Sequence, residues 1–255
     1  MKKKYKHDAL SIIDSASLLL KNTNNDPYLS WLFNTEFPPK SYMQHPLKSE
    51  NELNKYKKIF LKNFNISLGS FIRIKRVRFI LENTKHQKND KLFYSFIETP
   101  IGKMISIVSE KGLCLLEFLD RKMLETEINE LINYYQSNLI KTKTSIHVQL
   151  QKELDEYFQK KLVTFSIPLD MIGTDFQIII WKELIKINYG NTISYSQQAL
   201  NLKMPNTVRA IASANGKNKI SILVPCHRVL KKNGELGGYG GGIFRKKYLI
   251  ELEKN

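Results

Sequence analysis

The chain has 255 residues, 42% of them hydrophobic, with a formal net charge of +16. This composition supports one large domain or two modest ones, and no apolar run approaches the roughly 18 residues that span a bilayer, so a soluble, cytoplasmic protein without membrane contact is expected. The two cysteines, Cys114 and Cys226, are far apart and form no CxxC pair, which excludes a disulfide framework and a cysteine-rich zinc site.

The positive charge suits a polyanionic partner, most simply nucleic acid. A general bias towards Lys, Asn and Ile would raise the charge equally well with no binding site.

Residues 1–90 are Lys-rich and read as mainly helical. The spacing from Glu52 to Leu81, "ELNKYKKIFLKNFNISLGSFIRIKRVRFIL", predicts helix, turn and helix with a break near Ser67 to Gly69. Upstream, Pro38, Pro39 and "KSYMQHPLKSE" predict an irregular, weakly ordered stretch. From Leu92 the period changes. "LFYSFIETPIGKMISIVSEKGLCLLEFLD" holds three short apolar runs divided by "TPIG" and "EKG", the pattern of an antiparallel meander, and opens a new domain near residue 91. Cys114 lies in one of these runs and reads as core. Amphipathic helices are predicted over Lys122 to Tyr135 and Val148 to Lys160, packed on the sheet. Another follows over Asp175 to Ile187, with Thr174 as N-cap.

Thr192 to Gly216, "TISYSQQALNLKMPNTVRAIASANG", has the pattern of a helix-turn-helix. Ser194 can cap the first helix, and Pro205 with Asn206 can open the second. That second helix carries Ala210, Ala212, Ser213 and Ala214 with Arg209 among them. Such small side chains suit close approach to another surface or tight burial in a core.

In "SILVPCHRVL" the run Ser221 to Val224 reads as a buried strand, with Pro225 fixing the backbone just before Cys226. A thiol becomes a good nucleophile only as thiolate, which needs a base or cation nearby. His227 is adjacent, yet neighbours on an extended chain point to opposite sides unless the backbone turns. A nucleophile and an inert buried cysteine both fit. The five histidines show no metal-ligand spacing, so neither metal nor cofactor is expected.

The ordered series "GTDFQIIIW", "GNTISY", "VRAIASANGKN", "ILVPCHRVL", "NGELGGYGGG" and "RKKYLIELE" resembles the O6-alkylguanine-DNA alkyltransferases, the methylated-DNA–protein-cysteine methyltransferases. The resemblance implies an α+β fold: a ribonuclease H-like subdomain with an antiparallel sheet over 91–172, then a helical DNA-binding and catalytic domain over 173–255. It implies single-turnover transfer of an alkyl group from O6 of guanine in double-stranded DNA to Cys226, with base flipping and irreversible self-inactivation. His227 matches the residue that takes the thiol proton through a water, and Glu253 the carboxylate that orients it. Tyr195 matches the donor to the departing base, Lys246 a residue that neutralises developing charge, and Asn218 a structural asparagine tying the DNA-binding helices to the site. Arg209 matches the finger that fills the gap in the base stack. Asn206, Thr207, Ala210 and Ser213 belong to the recognition element that the resemblance sets in the minor groove, and Tyr239 and Gly240 to the loop over the flipped base. A monomer is expected, since single-turnover use needs no second subunit.

Three departures stand out. Gly240 replaces a side chain that other members often carry, and Lys219 follows Asn218 where many have Pro, closer to the transferase half of Ada-type proteins. The third is "FLKNFNISLGSFIRIKRVRF", which resembles the last helix pair of an AraC-type DNA-binding domain. No cysteine precedes Cys114, so Ada's thiolate zinc cluster is not expected there. Residues 1–90 are expected to add nonspecific DNA affinity through Arg73, Lys75, Arg76 and Arg78. A lesion-binding protein that transfers nothing, a transcription regulator and a Cys-His hydrolase are the rival readings.

Overall fold

The computed structural model describes residues 26–35, 47, 49–64, 66–84 and 91–254. The chain divides into two compact units, Met1–Lys85 and His86–Asn255.

The first unit contains α1 (Pro27–Asn34), α2 (Glu50–Phe64) and α3 (Leu68–Asn83). Asp26 caps α1, its carboxylate accepting from the backbone N–H of Tyr28 and Leu29, and Pro27 occupies the first turn, where no N–H is needed. Ser67 caps α3 through Ser70 N–H at 3.0 Å, so the break between α2 and α3 falls where the spacing predicts it. Leu32, Phe60, Leu68 and Phe71 close the core. Two of the expected phosphate contacts do not face outward. Lys75 and Arg76 are buried, and the Lys75 ammonium donates to the Leu32 carbonyl at 2.8 Å. The lysines of this unit that stand exposed include Lys55, Lys58 and Lys62 on α2. The stretch around Pro38 and Pro39 lies outside the described residues.

The second unit opens with β1 (Leu92–Ile97), β2 (Met104–Val108) and β3 (Leu113–Phe118), the expected antiparallel meander. Gly112, at φ 152°, makes the turn into β3 where a Cβ would lie 2.4 Å from the Pro168 carbonyl oxygen. A fourth strand that the pattern does not reveal, β4 (Leu139–Lys141), runs parallel to β1 and gives the order β3-β2-β1-β4. With three residues it is too short to show a period. Between them lies α4 (Leu124–Tyr135), and α5 (Ser145–Phe158) follows β4.

The helical half begins with α6 (Asp175–Ile185), capped reciprocally: Thr174 Oγ1 accepts from Gln177 N–H, and the Gln177 side chain accepts from Thr174 N–H. A two-stranded parallel pair, β5 (Ile193–Ser194) with β6 (Val229–Leu230), frames α7 (Tyr195–Asn201) and α8 (Val208–Gly216). The last helix, α9 (Ile243–Glu253), returns across the unit. Phe118 of the sheet, Leu154 of α5, Trp181 of α6, Ile211 of α8 and Leu249 of α9 belong to one buried cluster, so sheet and helices share a core. Burying each such side chain contributes about 1.5–3 kcal/mol.

Among the described residues no helix is long and apolar enough to cross a membrane.

Candidate active site

The segment expected as a strand before Cys226 is a turn. Leu116 of β3 exchanges backbone hydrogen bonds with Lys219 and Ser221 and forms a bridge with Ile220, and the pairing ends there. Ile222 then takes φ 74°, a conformation that a β-branched side chain rarely adopts. The chain folds back with Val224 N–H on the Ile220 carbonyl at 3.0 Å. Asn218 makes this geometry affordable. Its Nδ2 donates to the Val224 carbonyl at 2.8 Å and its Oδ1 accepts from Ile220 N–H at 3.0 Å. The same Nδ2 lies 3.3 Å from the sulfur of Cys226.

Cys226, His227 and Arg228 form one 3-10 turn, closed by Val229 N–H on the Cys226 carbonyl. The backbone here turns and is not extended, so the rule that sets neighbours on opposite sides does not apply to Cys226 and His227. His227 is fully buried, and its Nε2 meets Glu253 Oε1 at 2.8 Å, while Nδ1 has no hydrogen-bond partner among the described residues. Glu253 is further held by Arg228, at 2.8 Å from Nε to Oε2 and 3.0 Å from Nη2 to Oε1, and by the Tyr157 hydroxyl at 2.7 Å.

The electrostatics follow from burial. Desolvation pushes the Cys226 thiol up, opposed by the Asn218 hydrogen bond, and pushes His227 down, opposed by Glu253. At Glu253 burial would raise the carboxyl, yet the hydrogen bonds from His227 and Arg228 outweigh it and hold the group at about 2. The resting site is therefore a neutral thiol, a neutral imidazole and an ionised carboxylate.

Tyr195 opens α7 directly after β5, whose pairing with β6 sets it beside the turn of Cys226. Burial and the neighbouring sulfur raise its phenol. The Lys246 ammonium, fully buried, donates to the Val229 carbonyl at 2.5 Å and lies 6.0 Å from the Tyr195 ring centre. Burial lowers its pKa, and the Cys226 sulfur acts in the opposite sense. Tyr239 sets its ring edge-on to His227 at 6.4 Å and its hydroxyl 3.3 Å from Ser221 Oγ.

The other expected residues lie on the adjoining helix-turn-helix. Ser194 caps α7 through Gln197 N–H at 3.0 Å, and Gln198 and Asn215 bind each other across the two helices. Pro205–Thr207 form a 3-10 turn into α8. Ile211, Ala214 and Asn215 face inward, whereas Asn206, Arg209, Ala210 and Ser213 are exposed. Of the small residues, Ala210 and Ser213 lie on the outer face, Ala212 is half-buried and Ala214 packs in the core. Thr207 is half-buried, its hydroxyl on the Met204 carbonyl at 2.8 Å. Gly240 is exposed in the loop ahead of α9, with Arg121 directly behind it.

Sequence reasoning missed Arg228 and Tyr157, which hold Glu253, and Glu117, Arg121 and Ser221 behind the loop. Arg228 stands next to His227 in sequence and could have been suspected. Tyr157 is 96 positions from its partner, a pairing only the fold creates. Among the described residues no three or more His, Cys, Asp or Glu side chains are grouped to hold a metal ion.

Residues 175–255 match the model of the 6-O-methylguanine DNA methyltransferase DNA-binding domain, and residues 92–171 that of the ribonuclease-like domain of the same proteins. A methylated-DNA–protein-cysteine methyltransferase of Methanosarcina barkeri is 36% identical over 165 residues, which take in 64% of this chain and 98% of that relative. The chain belongs to the methylated-DNA–protein-cysteine methyltransferase family. The Mycobacterium bovis family member is 50% identical over 103 residues, 40% of this chain and 62% of that protein. In three dimensions the chain is similar to Mycobacterium tuberculosis OGT crystallised in complex with DNA, with a TM-score of 0.55 and 37% identity over 64% of this chain and 92% of that one.

Proposed function

We propose that the chain repairs DNA by moving a methyl group from O6 of guanine to Cys226, once per molecule. What supports this reading is that the Asn218 amide meets the Cys226 sulfur while the next residue, His227, is engaged by the Glu253 carboxylate, which supplies a nucleophile, a base and a group to orient the base.

Cys226 sulfur attacks the methyl carbon, the carbon–oxygen bond breaks, and a thioether forms. The thiol proton passes through a water to Nδ1 of His227, the nitrogen that Glu253 leaves available by engaging Nε2. Tyr195, its phenol kept protonated by burial, gives a proton to the departing guanine. The proton gained by His227 and the one lost by Tyr195 balance, so the transfer leaves the net charge of the site unchanged. Lys246 keeps a positive charge near the base as charge develops on it. No group regenerates the thiol from a thioether, so the protein is consumed.

A guanine inside a duplex cannot reach a buried sulfur, so the base is extruded at a cost of a few kcal/mol. The exposed face of α8 suits the minor groove, with Arg209 as the wedge and Asn206, Ala210 and Ser213 close to the backbone; Thr207, half-buried, supports the turn into this helix. Tyr239 and Gly240 then close over the base. Backbone contact without base reading fits repair in any sequence context. Double-stranded DNA as partner and a free thiol as nucleophile support a reading in which the protein works in the reducing cytoplasm.

In this reading residues 91–172 and 173–255 act together as the transferase, and 1–90 is an appended helical region. Its nonspecific DNA affinity would come from exposed lysines of α2, such as Lys58 and Lys62, because Lys75 and Arg76 are buried.

The test is stoichiometry. A fixed amount of protein should clear an equal amount of O6-methylguanine from duplex DNA and then stop, whereas continued turnover would contradict the scheme.

A further inference from the structure

Arg121, just beyond β3, lies in a buried cluster that the transfer scheme does not use. Its side chain is 3% exposed and stands between Glu117 and Glu127, at 0% and 4%. Its Nε and Nη2 donate to the Glu127 carboxylate, the shortest contact being 2.6 Å, and Nη1 is 3.2 Å from Glu117 Oε1. The same Nη2 donates to the backbone carbonyls of Gly216 at 3.0 Å and Asn218 at 3.1 Å. A cation thus caps the C-terminal end of α8, where the helix dipole favours it. Glu117 in turn accepts from Ser221 Oγ at 2.7 Å, and Ser221 meets the Tyr239 hydroxyl. The guanidinium therefore touches the residue that holds the Cys226 sulfur, and its carboxylate partner reaches the aromatic ring of the loop.

The loop closes on the same group. A Cβ added to Gly240 would lie 1.5 Å from Arg121 Nη1 and 2.5 Å from Cζ. The end of a long side chain usually yields to such a clash. Here two carboxylates and two backbone carbonyls pin it, so it cannot move without leaving buried charges unpaired. Burial pushes Glu117 up to about 8, and desolvated charges such as these are a poor source of stability, since an apolar cluster of equal volume serves as well or better. They are an effective way to fix geometry.

We infer that Arg121 is a positioning residue for the transfer, holding Asn218 from the ribonuclease-like half and filling the volume that a side chain at position 240 would need. Glycine at 240 and arginine at 121 are then a matched pair. The inference rests on the methyltransferase reading of Cys226.

Four chains test it: the unmodified protein, Gly240→Ser, Arg121→Lys and the double variant. Single-turnover methyl transfer and thermal melting are measured on each. Lysine keeps the charge for Glu127 and lacks the second amino group that meets Gly240. Gly240→Ser alone should slow transfer roughly ten-fold or more, since a misplacement of about 1 Å can cost ~100-fold. In the Arg121→Lys background the same change should cost less than about two-fold, the non-additivity expected of residues in contact. Equal cost in both backgrounds, or none in the first, would overturn the pairing. Melting needs no substrate. Failure of the unmodified chain to accept a methyl group would thus count against the methyltransferase reading alone, whereas additive melting shifts would count against this one.

Discussion

His227 presents Nε2 to Glu253 at 2.8 Å inside the protein, and Arg228 secures the same carboxylate from the next position in the chain. The carboxylate is ionised, so Nε2 carries the proton and Nδ1 is the basic nitrogen. That tautomer is what a water-relayed base at Cys226 requires. Glu253→Gln should lower the single-turnover rate by roughly 100-fold, the scale of general-base catalysis, while leaving duplex affinity unchanged. A matching loss of DNA binding would place Glu253 in folding and not in chemistry.

The same carboxylate links stability to pH. Its folded value of about 2 lies below the ordinary 4.5, so as the pH falls the unfolded chain takes up the proton first. The stabilisation is present in full above about pH 5 and is lost as pH falls from there towards 2, for a total of roughly 3 kcal/mol. Urea unfolding between pH 6 and 3 should show this decline, and Glu253→Gln should flatten it.

Asn218 supports both fold and chemistry. Asn218→Ala leaves the Val224 carbonyl and Ile220 N–H unpaired in the interior, which should cost about 1–3 kcal/mol for each stranded group. Its donation to Cys226 also opposes the upward push of burial on the thiol. The variant should therefore react more slowly and need a higher pH for half-maximal transfer. An unchanged pH profile would mean that Asn218 acts on the backbone alone.

Arg209 separates DNA handling from chemistry. It is exposed on α8 and touches none of the groups around Cys226 in the described structure. Arg209→Ala should slow transfer from duplex O6-methylguanine by about ten-fold or more, because a few kcal/mol of unstacking are at stake. Transfer from the free modified base should stay unchanged. Equal losses on both substrates would contradict the wedge role.

How far the sequence reveals this molecule depends on the range of each interaction. The meander, the helix ends at Thr174 and Ser194, and the α2–α3 break are local signals, written in spacing and capping residues. The family motifs point to the neighbourhood of Cys226 because they surround it in the chain. Ser221–Val224 satisfies a strand pattern through its apolar content but is a turn, because the Asn218 side chain takes up the backbone groups that a neighbouring strand would bind. Basic character in α3 likewise suggests a surface, while Lys75 is buried against the end of α1. The cluster of Glu117, Arg121 and Ser221 joins residues about 100 positions apart. No local pattern encodes such a meeting.

The central claim is that Cys226 is the methyl acceptor, and intact-protein mass spectrometry tests it most directly. The protein is incubated with a duplex carrying one O6-methylguanine, beside a Cys226→Ala control. A gain of about 14 Da, one methyl group, on the unmodified protein and none on the control is the predicted result. Tight binding to the lesion with no gain in mass, or a gain that persists in Cys226→Ala, would contradict it.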